Sequence, residues 1–112
     1  EQFDHCSFKK RFVECQSKVD SCWDFLENAA IIDNCDLIIT SDTSIAHLAG
    51  AMGKSTWLLL QYVPEWRWGI EKENTFWYPS MRLFRQKEVN NWNEVMMKIS
   101  TELHKKITRE LL

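Results

Sequence analysis

Two short apolar runs separated by one helical stretch constrain the fold of this chain most. Residues 36–40 (DLIIT) form a short, nearly continuous apolar run, and residues 55–61 (STWLLLQ) form a second one. Short continuous runs are typical of strands buried on both faces of a parallel sheet. Between them, residues 45–52 predict a short helix that closes at Gly53. The spacing therefore predicts a compact βαβ unit with a right-handed crossover.

The remaining segments extend this alternation. Residues 11–16 (RFVECQ) predict a short strand, and residues 80–85 predict another. Ser21 and Asp24 resemble a capping box for a helix that ends near Asn34, and Asn91 with Glu94 marks the start of a final helix. Apolar residues follow at helical spacing in both helices: Trp23, Phe25, Leu26, Ala29, Ala30 and Ile32, then Trp92, Val95, Met96, Ile99, Leu103, Ile107 and Leu111.

This order predicts an α/β fold. We expect a partial Rossmann-like, three-layer domain with a small, mostly parallel sheet flanked by helices. The 112 residues suit a single domain, and no repeat or flexible linker divides them.

Charge and cysteine content disfavour several classes of function. The 14 basic and 16 acidic residues are scattered, so the chain lacks the basic patch of a nucleic-acid-binding protein. The four cysteines contain no CxxC pair, which argues against a metal site and favours reduced, buried thiols. No apolar run approaches the ~20 residues of a membrane span. The N-terminus has no signal-peptide pattern, so we expect a cytoplasmic protein without a membrane span.

The turn that follows the first apolar strand is the main candidate site. In open parallel sheets, ligands bind beyond the carboxyl ends of the strands. The residues Ser41, Asp42, Thr43 and Ser44 begin a helix there, and the free N–H groups of a helix start suit phosphate. Asp42 would cap the helix or bind a ribose or sugar hydroxyl, and His47 would donate to a phosphate oxygen. The plainer alternative, ordinary capping and a structural histidine, is favoured by spacing alone.

An aromatic segment, residues 62–78, is the second candidate site. Trp66, Arg67 and Trp68 alternate, so both rings could share one face and stack on a sugar or base. Arg67, Arg82 or Arg85 could bind phosphate. The alternative is that these rings pack over the sheet or fill an interface. No GxGxxG, Walker or GxSxG motif accompanies either candidate, which disfavours dinucleotide enzymes, P-loop NTPases and serine hydrolases.

Several motifs in the same order resemble one glycosyltransferase family. Residues 36–68 (DLIITSDTSIAHLAGAMGKSTWLLLQYVPEWRW), 77–86 (WYPSMRLFRQ) and 90–95 (NNWNEV) are similar to the C-terminal end of the ADP-heptose:LPS heptosyltransferase family, family 9. They are closer still to related bacterial domains that follow tetratricopeptide repeats. The resemblance covers about residues 23–103.

The resemblance implies a GT-B architecture and inverting transfer from a nucleotide-diphospho-sugar, with no cofactor and no metal in the site. The family's Asp-Thr/Ser-Gly-x-x-His motif falls on Asp42, Thr43, Ser44 and His47, although Ser44 replaces the usual Gly. Ser55 and Gln61 also stand where relatives tend to have Pro. The family's N-terminal acceptor domain, which usually carries the catalytic base, has no counterpart in these 112 residues.

Two functions are therefore expected from the sequence. The first is the nucleotide-diphospho-sugar-binding part of a glycosyltransferase, which would transfer hexose or heptose only together with the missing N-terminal domain. The second is an interaction module that keeps the fold, has lost the chemistry and self-associates. An open sheet edge and a surplus of tryptophan favour the second.

Overall fold

Three parallel strands form the sheet. A computed structural model describes residues 3–22 and 24–111. Strand β1 (Ile38–Ser41), strand β2 (Thr56–Leu60) and strand β3 (Met81–Arg85) lie side by side in the order β1-β2-β3. Ile38 pairs with Thr56, and Thr56 pairs with Met81, so all three strands start at the same edge. The predicted α/β fold with a small parallel sheet is confirmed.

Within the described residues, four α-helices accompany the sheet: α1 (Gln16–Asp20), α2 (Leu26–Asp33), α3 (Ser44–Ala51) and α4 (Asn93–Leu111). Short 3₁₀ turns occupy Phe3–His5, Lys9–Arg11 and Trp66–Trp68. The strand predicted at residues 11–16 is wrong, because this stretch runs from a 3₁₀ turn into α1 beside no partner strand. Val13, in the middle of this stretch, is 84% exposed, so its apolar side chain does not pack into the core.

Helix ends follow the sequence signals at Gly53 and Asn91. However, Ser21 does not N-cap a helix, and Glu94 pairs with Lys87 instead of completing its capping box. Gly53 adopts a φ of +68° just after α3, and its N–H bonds to the carbonyl of Gly50, as the predicted closure requires. Asn91 accepts from the N–H of Asn93 at the start of α4. The capping box predicted at Ser21 is wrong, because Ser21 ends α1 and Asp24 alone contacts the start of α2. Trp23, predicted in the stripe of α2, lies outside the described residues.

The core lies on both faces of the sheet, which confirms the three layers. One face packs against α3 and the aromatic segment, and its buried residues are Ala46, Leu58, Leu60, Trp68, Met81 and Leu83. The other face packs against α4 through Trp57, Phe84, Val95 and Ile99. Strand β2, in the centre, is almost wholly buried, as its apolar run predicts. None of the helices among residues 3–22 and 24–111 has the length and apolarity needed to span a membrane.

The two outer strands differ in how their edges are covered. The edge of β3 is bridged by the aromatic segment, where Asn74 pairs with Arg82 and the N–H of Leu83 donates to the carbonyl of Glu73 at 2.7 Å. Strand β1 pairs with β2 alone, and its residues alternate between half-buried and exposed. The prediction that this strand is buried on both faces is therefore wrong, because Ile39 and Ser41, which lie on the same face, are exposed.

Candidate functional site

The turn after β1 opens directly onto the start of α3. Thr43 is extended, with a φ of −140°, and occupies the N-cap position, but its side chain does not cap the helix. Its hydroxyl instead donates to the carbonyl of Ser41 at 3.4 Å. Residues 41–44, which we call the α3 turn, are all exposed. The N–H groups of Ser44 and Ile45 thus lack a side-chain cap, and uncapped helix N–H groups can receive an anion.

Asp42 lies in the same turn and faces a small cavity. Its carboxylate makes no hydrogen bond or ion pair with the part of the chain that the structure describes. It therefore does not cap α3, the first of the two roles expected from the sequence. The cavity, of about 240 Å³, is lined by Asp42, Leu60, Gln61, Pro64 and Trp92 beside the ends of β1 and β2. The turn thus lies where open parallel sheets bind ligands.

His47 is held one turn inside α3 by two aromatic residues. Its Nδ1 lies 2.9 Å from the hydroxyl of Tyr78, and its ring stacks on Trp68 with centroids 5.3 Å apart. The other ring nitrogen, Nε2, has no hydrogen-bond partner among residues 3–22 and 24–111. A half-buried imidazole with one nitrogen fixed and the other free is oriented to donate to or accept from a ligand.

Tyr78 reaches His47 because Gly50 leaves room for its ring. A Cβ added at Gly50 would lie 2.5 Å from the Cγ of Tyr78. The pair Gly50 and Tyr78 was missed by the sequence reasoning. The available signal was the glycine itself, because a glycine inside a helix without a capping role often marks a close approach.

The two tryptophans of the aromatic segment occupy different environments. Trp68 is buried in the core at 3% exposure, whereas Trp66 is 72% exposed. The expectation that both rings share one face is wrong, because the 3₁₀ turn Trp66–Trp68 rotates successive side chains by about a third of a turn. Arg67 pairs with Glu65 and lies over the Trp66 ring at 4.7 Å.

The other two arginines considered for phosphate also have partners. Arg85 donates to the backbone carbonyls of Trp68, Gly69 and Lys72, and burial lowers the pKa of its guanidinium. Arg82 pairs with Glu102 at 2.7 Å and with Glu73 at 3.7 Å. Both guanidinium groups are therefore already engaged by other groups of the protein. An anion at either would have to displace a partner.

The residues described contain no group of three or more His, Cys, Asp or Glu side chains that could hold a metal ion. All four cysteines are free thiols, three of them half-buried and Cys35 exposed. The fold and the α3 turn together define an α/β protein with a partial Rossmann-like sheet and an open helix start at its carboxyl edge. Comparisons with protein-family models, curated proteins and solved structures find no match to this chain.

Proposed function

We propose that this chain is the nucleotide-diphospho-sugar-binding domain of a glycosyltransferase and is not catalytic on its own. One observation carries the proposal: the start of α3 is exposed and uncapped at the carboxyl end of β1, with His47 fixed by Tyr78 one turn away. The resemblance to heptosyltransferase-like domains covers these same positions, since its donor-side motif falls on Asp42, Thr43, Ser44 and His47.

In this proposal the groups at and just after the α3 turn contact different parts of the donor. The N–H groups of Ser44 and Ile45, at the positive end of the helix, would bind diphosphate oxygens. The free Nε2 of His47 would donate to the same group. Asp42, which has no partner in the described chain, would accept a hydrogen bond from a ribose or sugar hydroxyl.

The site lacks the parts that transfer itself requires. Transfer needs the acceptor, a base and the donor to be held together, and binding of the donor alone does not accelerate it. The α3 turn offers binding groups for the donor, while Asp42, its nearest carboxylate, is exposed. In the family that the chain resembles, the base and the acceptor lie on a separate N-terminal domain. We therefore assign donor binding to this chain and catalysis to its combination with such a domain.

Titration with ADP, UDP and GDP tests the proposal. We expect saturable binding of one nucleotide, followed by NMR or calorimetry, and an affinity about tenfold weaker in His47→Ala. His104→Ala is the matched control, since this exposed histidine lies on α4 far along the chain from the turn. Equal affinities of wild type, His47→Ala and His104→Ala for the nucleotide would show that His47 does not contribute to binding. No binding of any nucleotide by the folded chain would refute the proposal.

The second candidate function is a self-associating interaction module. The observation that favours it is the uncovered outer edge of β1, where Ile39 is 43% exposed and no charged residue interrupts the strand. Light scattering after size exclusion should then show a dimer that Ile39→Lys converts to monomer, because an edge lysine blocks strand pairing. A wild-type monomer at high concentration would exclude this candidate.

A further inference from the structure

A larger cavity lies beside β3, on the far side of Pro64 from the cavity at Asp42. It measures about 590 Å³, within the ~300–1,000 Å³ of small-molecule sites. Its wall is formed by the beginning of the aromatic segment and the end of β3, mainly by Tyr62, Pro64, Trp66, Ile70, Arg85 and Gln86. We call it the Gln86 cavity. Pro64 lines both cavities, so the two share one wall.

Only one of the two polar atoms of the Gln86 carboxamide has a hydrogen-bond partner among the described residues. The side chain is buried, with the residue 6% exposed, and its Oε1 accepts from the N–H of Tyr62 at 3.0 Å. Its Nε2 is buried and has no partner among the described residues. A buried donor without a partner is destabilising, so a ligand group that accepts from it is favoured there. Gln86 lines this cavity and a second one beside α4, so a ligand in this cavity lies next to the unpartnered amide.

The charged residues around this cavity are already neutralised. Glu65 accepts from the backbone N–H of Arg67 and pairs with its guanidinium. The guanidinium of Arg85 donates hydrogen bonds to three backbone carbonyls. Neither therefore offers a free charge to a ligand, and a charged ligand would pay its desolvation cost without a counter-ion. The cavity consequently favours a neutral molecule.

The rest of the wall suits a sugar ring. Tyr62 and Trp66 are both more than half exposed, and aromatic rings of this kind pack against the apolar C–H face of a pyranose. The hydroxyl and ring oxygens of the same sugar can accept from an amide N–H such as that of Gln86.

From these observations we infer that the Gln86 cavity is a binding site for a neutral saccharide ring. The sugar stacks on Trp66 and Tyr62 and accepts a hydrogen bond from Gln86. This site is separate from the α3 turn in its residues and in its chemistry, because the turn offers N–H groups for an anion and the cavity offers apolar walls with an amide. It binds a sugar that carries no nucleotide.

Neutral methyl glycosides test this inference without involving the nucleotide site. The intact 112-residue chain would be titrated with the methyl glycosides of glucose, mannose and N-acetylglucosamine, with NMR of the indole N–H of Trp66 and the side-chain amide of Gln86 as readout. We expect one glycoside to move both signals saturably, with a millimolar dissociation constant. Saturation at other residues, or no response to any of the three, would overturn the inference.

Two variants and one control locate the sugar. Trp66→Ala removes an exposed ring and should weaken binding about fivefold while the fold is kept. Gln86→Met should weaken it by a similar factor, about fivefold, by removing the donor. Phe8→Ala, which truncates an exposed ring outside the cavity wall, should leave the affinity unchanged. If Trp66→Ala binds as tightly as wild type, the inference fails.

The outcome is distinguishable from that of the nucleotide titration. Glycoside binding without nucleotide binding would support the saccharide site and refute the proposed donor function. Nucleotide binding without glycoside binding would refute the saccharide site and support the donor function.

Discussion

Two connections leave the carboxyl ends of neighbouring strands and differ in almost every respect. The α3 turn after β1 is short, polar and exposed, and it passes at once into a helix. The aromatic segment after β2 is long, and its one regular element is the 3₁₀ turn Trp66–Trp68. The first exposes backbone N–H groups, whereas the second buries Trp68 and holds its own backbone against β3.

The difference follows from how each connection satisfies its backbone groups. A helix start leaves its first N–H groups free for solvent or a ligand. An irregular segment packed on a sheet must find partners for its carbonyls, and the guanidinium of Arg85 provides three of them. The aromatic segment is therefore mainly a structural cover with an exposed rim, while the α3 turn leaves the first N–H groups of its helix open.

The strongest test of this comparison contrasts the two tryptophans. Trp68→Ala should lower the free energy of unfolding by about 3–5 kcal/mol, because a fully buried ring leaves a cavity under His47. Trp66→Ala should change it by about 0.5 kcal/mol, since that ring is exposed. Urea denaturation measures both. Similar losses in the two variants would mean that the segment is not divided into a buried and an exposed part.

Replacing Arg85, the β3 residue that binds three carbonyls of the aromatic segment, should have the next largest effect on stability. Arg85→Met leaves three carbonyls without their donor and should destabilise the protein by about 2–3 kcal/mol. Arg67→Met is the matched control, because this exposed arginine contacts the side chains of its chain neighbours Glu65 and Trp66, and its loss should cost under about 1 kcal/mol. A stable Arg85→Met protein with unchanged chemical shifts in the aromatic segment would contradict the anchoring role.

A smaller effect is expected where the two connections meet, at Gly50 and Tyr78. Gly50→Ala should destabilise the protein by about 1–2 kcal/mol, because the new Cβ would clash with the base of the Tyr78 ring. The His47 ring signals should shift at the same time, since Tyr78 holds Nδ1. In a Tyr78→Ala background the clash is absent, and Gly50→Ala should stabilise by about 1 kcal/mol through helix propensity. Loss of stability in both backgrounds would refute this account.

The smallest expected effect depends on pH and concerns the far end of the aromatic segment. A hydrogen bond from Lys98, on α4, lowers the pKa of Glu73, and the charge of Lys98 acts in the same direction. Because the folded pKa lies below the unfolded value, this pair stabilises the protein above the ordinary pKa of Glu, and the contribution is lost as pH falls through the folded pKa.

Glu73→Gln should therefore be slightly less stable than wild type at pH 7 and equal to it at the lowest pH at which both fold, as thermal unfolding across that range would show. Glu110→Gln, which alters another exposed pair on α4, is the control for general charge effects. A difference between Glu73→Gln and wild type that does not shrink on acidification would contradict the assignment.

Most of the secondary structure that carries the fold can be predicted from local patterns in the sequence. The apolar runs of β2 and β3, the closure of α3 at Gly53 and the part of the α4 stripe at Val95 and Ile99 are local patterns whose periodicity or backbone requirement can be recognised within a few residues. The position of the α3 turn at the carboxyl edge of the sheet follows from the same order of elements. The roles of Ser41, Asp42, Thr43, Ser44 and His47 as binding residues stay a prediction.

Only the tertiary structure decided what surrounds those residues. Neither the exposure of β1 nor the contact of Tyr78 with His47 can be read from the chain, because both depend on which distant segments meet. The same holds for Trp66 and Trp68, where one ring is solvent-exposed and the other lies in the core. A sequence specifies which side chains are apolar, but the packing of non-adjacent elements decides which of them reach the core, because burial is a property of the whole assembly.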